Sequence, residues 1–214
     1  MRVKKATSDE ELLDVHKLRY KVYCLERGYE RMEDHPEGLE TDEYDPYSVH
    51  FIAYVNSQPV GTVRLILQNP FGFPVERHCN VNTGSICQDG EKVAEISRLA
   101  VSSEATKDIC IERSKITIGL MKELYSASRE LGIGYLVSAM SSPLERLLKR
   151  CGLKFLKAGP PVDYHGLRTP YYAACEDLER ELFNRRKDLF EFFFPEWADS
   201  TARAVSTTLL WETH

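Results

Sequence analysis

A glutamate and an arginine, three residues apart, interrupt a stretch that otherwise has the composition of a central β-strand. The two-residue period of residues 93–101 predicts two faces, with Glu95, Ser97, Leu99 and Val101 on one and Ile96, Arg98 and Ala100 on the other. Burying an unpaired carboxylate or guanidinium is unfavourable, so these groups require partners, a metal or a functional cavity. They indicate a structural ion pair, a strand end that faces water, or a site where a carboxylate transfers protons.

The first predicted helix carries an arginine and a tyrosine beside its apolar stripe. Ser8 and Glu11 have the spacing of a capping box, and apolar residues at three- and four-residue steps continue the helix to about Arg27. Arg19 and Tyr23 lie one turn apart beside this stripe. Arg19 either extends its guanidinium to solvent or meets a buried partner.

A long acidic loop and a β-hairpin follow this helix. Residues 28–46 lose the helical pattern and contain Asp42 and Asp45, so the loop is either a solvated segment or a functional one. A hairpin is predicted from two β-rich runs, at 49–55 and 60–67. Its second strand places Arg64 on the same face as Thr62 and Ile66, which adds a second arginine to the interior of the sheet.

The rest of the chain alternates helices and strands. The pattern predicts, in order, an irregular segment at 68–91, a helix from about 116 to 131, a strand at 134–140, a helix capped by Ser142, strands at 153–158 and 171–175, and an amphipathic helix at 178–194. This order predicts a mixed α/β (α+β) sheet flanked by helices. We expect one domain over residues 1–175 with a helical extension over 176–214, whose Phe-rich end is either a packed cover or a surface for a partner or an acyl chain.

Composition excludes several classes of protein. The 214 residues are 43% hydrophobic, enough for one core, and the net charge of −5 argues against a general nucleic-acid-binding protein. The six cysteines lack metal-ligand spacing, so we expect reduced thiols, no metal and a cytoplasmic location. No apolar run is long enough to span a membrane.

Five short blocks, in order, resemble known enzymes over residues 15–175. Residues 18–23, 42–45, 60–65 and 95–99 resemble blocks of the acyl-homoserine-lactone synthases (autoinducer synthases) and the related N-acyl amino acid synthases, which have the GNAT acyltransferase fold. Residues 159–168 are similar to the acyltransferases associated with PEP-CTERM/exosortase systems. The resemblance implies a GNAT-like enzyme that moves a fatty acyl group from a thioester to the amine of a small acceptor such as an amino acid.

The resemblance also implies roles for particular residues. In such synthases, Arg19, Tyr23, Asp42, Asp45, Arg64, Glu95 and Arg98 would form an interlocked charged cluster that orders the N-terminal segment over the acceptor pocket. As a hypothesis about the mechanism, we expect Glu95, directly or through a water, to help to deprotonate the amine, and backbone amides between Leu99 and Val101 to face the developing oxyanion. Arg64 and Arg98 either bind an acceptor carboxylate or are neutralised by the aspartates. His165 and Arg168 belong to a loop that shapes the acceptor site, with His165 as an alternative base.

Departures from the pattern bear on the two substrates. The tryptophan that those synthases carry after the first helix is missing, with Tyr29 as a possible substitute, which argues against an S-adenosylmethionine acceptor. Because residues 102–118 contain no glycine, an acyl carrier protein is a better donor than acyl-CoA. No tightly bound cofactor is expected. The acyl chain would lie against Leu136, Met140, Leu147 and Phe155, and the carrier protein would meet Arg113, Lys115, Arg146, Lys149 and Arg150.

Two other functions fit the same fold. One is an acetyl-CoA-dependent GNAT N-acetyltransferase, which the missing glycine turn disfavours. The other is a non-catalytic acyl-binding protein. Association with a membrane surface through the product or through the Phe-rich helix is a further possibility, without a membrane span.

Overall fold

The computed structural model describes residues 1–87, 90–107, 109 and 111–196. The strands are β1 Arg2–Lys5, β2 Ser48–Val55, β3 Gln58–Ile66, β4 Lys92–Val101, β5 Ile133–Met140, β6 Leu156–Lys157, β7 Val162–Asp163 and β8 Leu167–Ala174. The helices are α1 Asp9–Tyr20, α2 Pro74–Cys79, α3 Arg113–Glu130, α4 Ser142–Arg150, α5 Cys175–Arg185 and α6 Lys187–Phe193. The mixed α/β architecture agrees with the prediction.

One mostly antiparallel sheet organises the chain. Its strands follow the order β1-β2-β3-β4-β5-β8-β6, and β7 pairs with β8. The long helix α3 packs on one face, over the main hydrophobic core, and α5 and α6 join it there. The helices α1 and α2 cover the opposite face. The sheet is therefore buried on both faces, which explains why its central strands are so apolar.

The sheet divides between β4 and β5. These two strands are parallel, and their pairing begins near Lys92 and ends where Glu95 faces Val137. Beyond that point β4 continues along β3, whereas β5 pairs with β8. The divergence leaves a cleft inside the sheet, with Glu95 at the point where the strands separate.

The predicted alternation of β4 is wrong beyond Ser97. One extra residue is accommodated between the pairs Ser97–Arg64 and Ala100–Thr62, because Arg98 and Leu99 lie opposite Val63 alone, and Arg98 has a positive φ of 50°. This β-bulge shifts the later residues by one face. Arg98 and Ala100 therefore lie on the α1 face with Glu95 and Ser97, while Leu99 and Val101 pack toward the α3 face.

Other element boundaries also differ from the prediction. The first helix ends as an α-helix at Tyr20 and continues as a π-helical turn, Lys21–Glu26, a geometry often found near functional sites. The N-cap of α4 is Ser141, not Ser142, and its side chain makes no capping hydrogen bond. The segment 68–91 contains the short helix α2, the strand predicted at 153–158 shortens to β6, and the last strand begins earlier, at Leu167.

The C-terminal helix predicted at 178–194 is two helices that meet at Arg186. Phe193 and Phe194 are buried against Tyr125 of α3, as a packed cover requires. No helix in the described part of the chain has the length and apolar character needed to cross a membrane. Cys110 and the part of the extension beyond residue 196 lie outside the described residues.

Candidate active site

Three neighbouring cavities with shared lining residues follow the cleft between β4 and β5. The outermost measures about 560 Å³, the middle one about 130 Å³, and the innermost, beside Glu95, about 70 Å³. Tyr23 and Arg168 line all three, and Leu99 lines the outer two. The cleft thus leads from the protein surface to a buried carboxyl group.

Glu95 is the acidic group at the inner end of this cleft. The residue is 3% exposed, and its Oε2 accepts a hydrogen bond of 2.9 Å from the Val75 backbone N–H. Burial raises the pKa of Glu95 to about 8, against the opposing effects of that hydrogen bond and of Arg64 and Arg98. At neutral pH most of the Glu95 carboxyl group is therefore protonated, and the ionised fraction is a carboxylate basic enough to accept a proton from an ammonium group.

Two aspartates from the acidic loop hold the Arg64 guanidinium. Asp42 accepts from both terminal nitrogens of Arg64, at 2.5 and 2.9 Å, and Asp45 accepts from Nη1 at 2.6 Å. Arg64 also donates to the Ser97 hydroxyl at 3.3 Å. The guanidinium is 1% exposed, so its charge is compensated inside the protein.

Glu40, which sequence reasoning did not single out, connects the other two arginines. One oxygen accepts from Arg19 Nε, and the other accepts from Arg98 Nε at 3.1 Å. Arg19 also donates to Asp45 at 2.6 Å, and Arg98 lies 3.2 Å from both Glu30 and Asp42. The sequence indicated Glu40 only by its position, at the start of the acidic run in this loop.

These contacts form one charge cluster, which we define as Arg19, Arg64, Arg98, Glu30, Glu40, Asp42 and Asp45. The neighbouring arginines lower the pKa of Glu40 to about 2 and hold that of Asp45 well below its ordinary value, despite burial. The cluster ties α1 and the acidic loop to β3 and β4. In this structure Arg64 and Arg98 are each held by carboxylates of the chain itself.

The π-helical turn brings Tyr23 to the bulge in β4. The Tyr23 phenol donates to the Leu99 carbonyl at 3.3 Å, and the Arg98 guanidinium lies 5.4 Å from the centre of the Tyr23 ring. Burial raises the pKa of Tyr23, so the phenol stays protonated and acts as a donor. Tyr23 therefore positions the strand segment that carries Leu99.

One backbone amide of β4 is directed into the cleft. The Ser102 N–H donates to Val60 O on β3, so the polar groups of the preceding residue, Val101, point to the other side of the strand. In agreement, the Val101 carbonyl accepts from Arg113 at 2.9 Å, and both residues line the outer cavity. The Val101 N–H shares this direction and can donate to a donor arm that lies along the outer cavity.

The hairpin of β7 and β8 closes the inner cavity. His165 at its tip contacts the Tyr29 carbonyl through Nδ1 at 3.0 Å and lies 3.4 Å from a Glu30 oxygen. Arg168 lies over the Tyr29 ring at 5.5 Å and, in the described chain, forms no ion pair with a carboxylate. Arg168 is therefore a positive charge without a carboxylate partner in the described chain, and it lines the same inner cavity as Glu95.

Tyr164, which the sequence analysis did not single out, completes this hairpin. Its ring stacks on His78 of α2 with a centroid distance of 4.2 Å, and its side chain lines the inner cavity with Glu95. Desolvation raises the pKa of Tyr164. The tyrosine therefore presents a neutral phenol to any acceptor in this cavity.

The residues predicted to contact an acyl chain divide between cleft and core. Met140 lines the middle cavity, and Leu147 lines the outer one. Leu136 and Phe155 are buried in the hydrophobic core. The middle cavity gains further apolar lining from residues that were not predicted, Met121, Leu144 and Leu148.

Among the described residues, no group of His, Cys, Asp and Glu side chains is arranged to hold a metal ion.

A sheet that splits beside a buried carboxyl group, under helices on both faces, is the fold of the GNAT-like acyltransferases. The chain belongs to the N-acyl amino acid synthase FeeM family, whose model matches residues 14–175. The protein is therefore an N-acyltransferase related to the autoinducer synthases.

Curated relatives agree with this assignment. The chain is 26% identical over 152 residues to the acyl-homoserine-lactone synthase of Aeromonas hydrophila, a match that covers 68% of this chain and 70% of the relative. The corresponding synthase of Vibrio anguillarum is 26% identical over 145 residues, which are 67% of this chain and 74% of that protein.

Solved structures share the fold. FeeM, an N-acyl amino acid synthase from uncultured soil microbes, has a TM-score of 0.65 at 14% identity, covering 84% of this chain and 93% of its own. BjaI, a CoA-dependent acyl-homoserine lactone synthase solved with SAM and isopentyl-CoA, has a TM-score of 0.61 at 19% identity, covering 85% and 87%.

Proposed function

We propose that this N-acyltransferase moves a fatty acyl group from the thioester of an acyl carrier protein to the amine of an amino acid. The cleft between β4 and β5 receives the thioester arm, and Glu95 at its inner end accepts a proton from the amine. The observation that carries this proposal is the position of the buried Glu95 carboxyl group at the end of a cleft that opens to the surface. The reaction takes place in the cytoplasm.

The pKa of Glu95 suits the acceptor. An α-ammonium group has a pKa of about 8, so proton transfer to a carboxylate whose pKa is also about 8 is nearly thermoneutral. Positioned proton transfer of this kind accelerates reactions by about 10²- to 10⁴-fold. The free amine attacks the thioester carbonyl, and the thiolate leaves and takes up the second proton of the amine.

Arg168 supports an acceptor that carries a carboxylate. Its guanidinium has no carboxylate partner in the described chain and lines the same 70 Å³ cavity as Glu95. The cavity thus offers a proton acceptor to the ammonium group and a positive charge to the carboxylate of a zwitterion. By contrast, Arg64 and Arg98 already hold the carboxylates of the charge cluster.

Replacing Arg168 tests this assignment. Arg168→Met is expected to raise KM for an amino acid about tenfold or more, because a charge-assisted hydrogen bond is lost, and to change KM little for the corresponding amine without a carboxylate. Arg180→Met, on an exposed helix face of α5, is the control and should leave both values unchanged. Equal losses with both acceptors would show that Arg168 acts structurally.

Exposed basic side chains on the two helices that contribute to the outer cavity support a carrier protein, which is typically acidic, as the donor. They lie on α3 and α4 and form no ion pairs within the described chain: Arg113, Lys115, Arg146, Lys149 and Arg150. Such a surface attracts an acidic partner over a distance of about a Debye length.

The link to PEP-CTERM/exosortase systems rests on the 159–168 block alone and stays a prediction.

The direct test is mass spectrometry of lipids from a bacterial host that expresses the protein, with a host expressing Glu95→Gln for comparison. An N-acyl amino acid that is present only with the unaltered protein would support the proposal, and its mass would report the acyl chain and the acceptor together. Transfer of acetyl groups alone, or tight acyl binding without any product, would contradict it.

A further inference from the structure

The outer cavity has an unusual charge pattern. Three arginines line it, Arg27 after the π-helical turn, Arg113 at the start of α3, and Arg168, and none of its described lining residues is acidic. No carboxylate of the described chain pairs with any of the three. A cavity with this lining favours an anionic group.

A carboxylate of the chain already occupies the neighbouring amides. Glu26 accepts from the Ser102 hydroxyl at 2.6 Å and from the Ser103 and Glu104 backbone N–H groups at 2.8 and 3.4 Å. These hydrogen bonds lower the pKa of Glu26 against the effect of its partial burial, so it stays ionised. The Glu26 carboxylate therefore occupies the hydrogen-bond donors of the turn after β4, so an anionic ligand must bind elsewhere in the cavity.

We propose that Arg27 and Arg113 bind the single phosphate of a phosphopantetheine arm, and that Glu26 excludes the diphosphate of a coenzyme A donor. This inference rests on the proposed function and specifies how its donor is recognised. Arg113 already donates to the Val101 carbonyl, which holds its side chain at the cleft edge, and Arg27 lines the same cavity. Arg168 faces the inner cavity as well and remains assigned to the acceptor.

The geometry of β4 fits an extended arm. Val101, beside the proposed phosphate site, faces Gly61 of β3, and Glu95 faces Ile66, so the bulged strand advances five positions between them, or about 17 Å at roughly 3.3 Å per residue. The middle cavity that joins the two ends is lined by Leu144, Leu148 and Met121 and suits the uncharged part of the arm. The proposal thus places the phosphate in the outer cavity and the thioester toward the inner one.

The first test compares two donors that differ only by the phosphate, acyl-phosphopantetheine and acyl-pantetheine. The protein is expected to use the phosphorylated donor with a kcat/KM about tenfold higher or more, because charge-assisted contacts are lost with the other donor. The double variant Arg27→Gln/Arg113→Gln should reduce this preference to less than about twofold, while Arg180→Gln should leave it unchanged. Added salt should also reduce the preference.

Binding provides a readout that does not need turnover. Calorimetric titration with phosphopantetheine and with pantetheine should show the same preference in the unaltered protein and its loss in the double variant. A preference below twofold in the unaltered protein, or equal losses with both compounds in the double variant, would overturn the proposal. Absence of transfer from every donor together with intact phosphate discrimination would instead contradict the proposed function.

Replacing Glu26 provides a second, independent test, of the exclusion of coenzyme A. Glu26→Ala vacates the amides of the turn, so the ratio of acyl-CoA to acyl-carrier-protein activity is expected to rise about fivefold or more. Glu104→Ala, which removes an exposed carboxylate from the same turn, is the matched control and should leave the ratio unchanged. An unchanged ratio in Glu26→Ala, in a protein that still folds, would show that Glu26 does not exclude the diphosphate.

Discussion

Glu95→Gln is expected to lower kcat for acyl transfer by about 10²- to 10⁴-fold, while the variant becomes more stable than the unaltered protein at pH 8. The amide retains an oxygen that can accept from the Val75 N–H, so the local fold is kept. It has no carboxylate to accept a proton from the amine. A residue that served only the fold would not lose activity and gain stability together.

The stability change follows from the sign of the pKa shift. Glu95 has a folded-state pKa of about 8, raised from the ordinary 4.5, so between these values the folded protein binds more protons than the unfolded chain. Stability therefore falls as pH rises from about 4.5 to 8. The variant lacks this loss, and the difference in unfolding free energy should grow to a few kcal/mol at pH 8.

Thermal unfolding at pH 5 and pH 8, together with the pH profile of kcat, measures both effects. Glu123→Gln on α3, whose side chain lines none of the three cavities, is the control and should change neither. A Glu95→Gln variant that keeps its kcat with a verified acceptor would remove the carboxylate from the mechanism. A variant that loses stability between pH 5 and pH 8 as steeply as the unaltered protein would contradict the raised pKa.

Glu40→Gln is expected to lower the free energy of unfolding by about 3–5 kcal/mol, since removing one partner leaves buried arginine charge uncompensated. Glu40 is 1% exposed and contacts both Arg19 and Arg98. Because the charge cluster holds the acidic loop on the sheet, we also expect KM for the acceptor to rise. Urea unfolding at pH 7 measures the first effect and initial rates the second.

The pH dependence of this variant has the opposite sign from that of Glu95→Gln. The pKa of Glu40 is lowered from the ordinary 4.5 to about 2, so its contribution is complete above about pH 4.5 and is lost as pH falls toward 2. The difference between Glu40→Gln and the unaltered protein should therefore shrink over that range. Glu43→Gln, which breaks the exposed pair with Arg77, should cost less than about 1 kcal/mol. Equal costs for the two variants would show that the cluster does not stabilise the fold.

Hydrophobic periodicity was enough to predict the main elements of the sheet and its long helix. The hairpin of β2 and β3, helix α3 and strand β5 were predicted at nearly their observed positions, because each pattern extends over two or more helical turns or six or more strand residues. Short elements were missed or misplaced. Helix α2 and strands β6 and β7 are held by their neighbours and carry little pattern of their own.

The candidate site was partly visible in the sequence. Buried charge in a strand is unfavourable without a reason, so Glu95, Arg98 and Arg64 could be selected from residue type and position alone. Glu40 was missed because a carboxylate in an acidic loop resembles a solvated one until its partners are known. Glu26 and Tyr164 were missed for a similar reason, since their roles depend on contacts that local sequence does not encode.

The sequence by itself determined the alternation of helices and strands and the presence of charges that a sheet interior must compensate. Tertiary structure decided which charges meet. The bulge at Arg98, with its positive φ, turns that side chain to the face of Glu95, and no two-residue period can anticipate it. The separation of β4 from β5 is likewise a property of strand pairing over long range, and it is this separation that places a cleft beside Glu95.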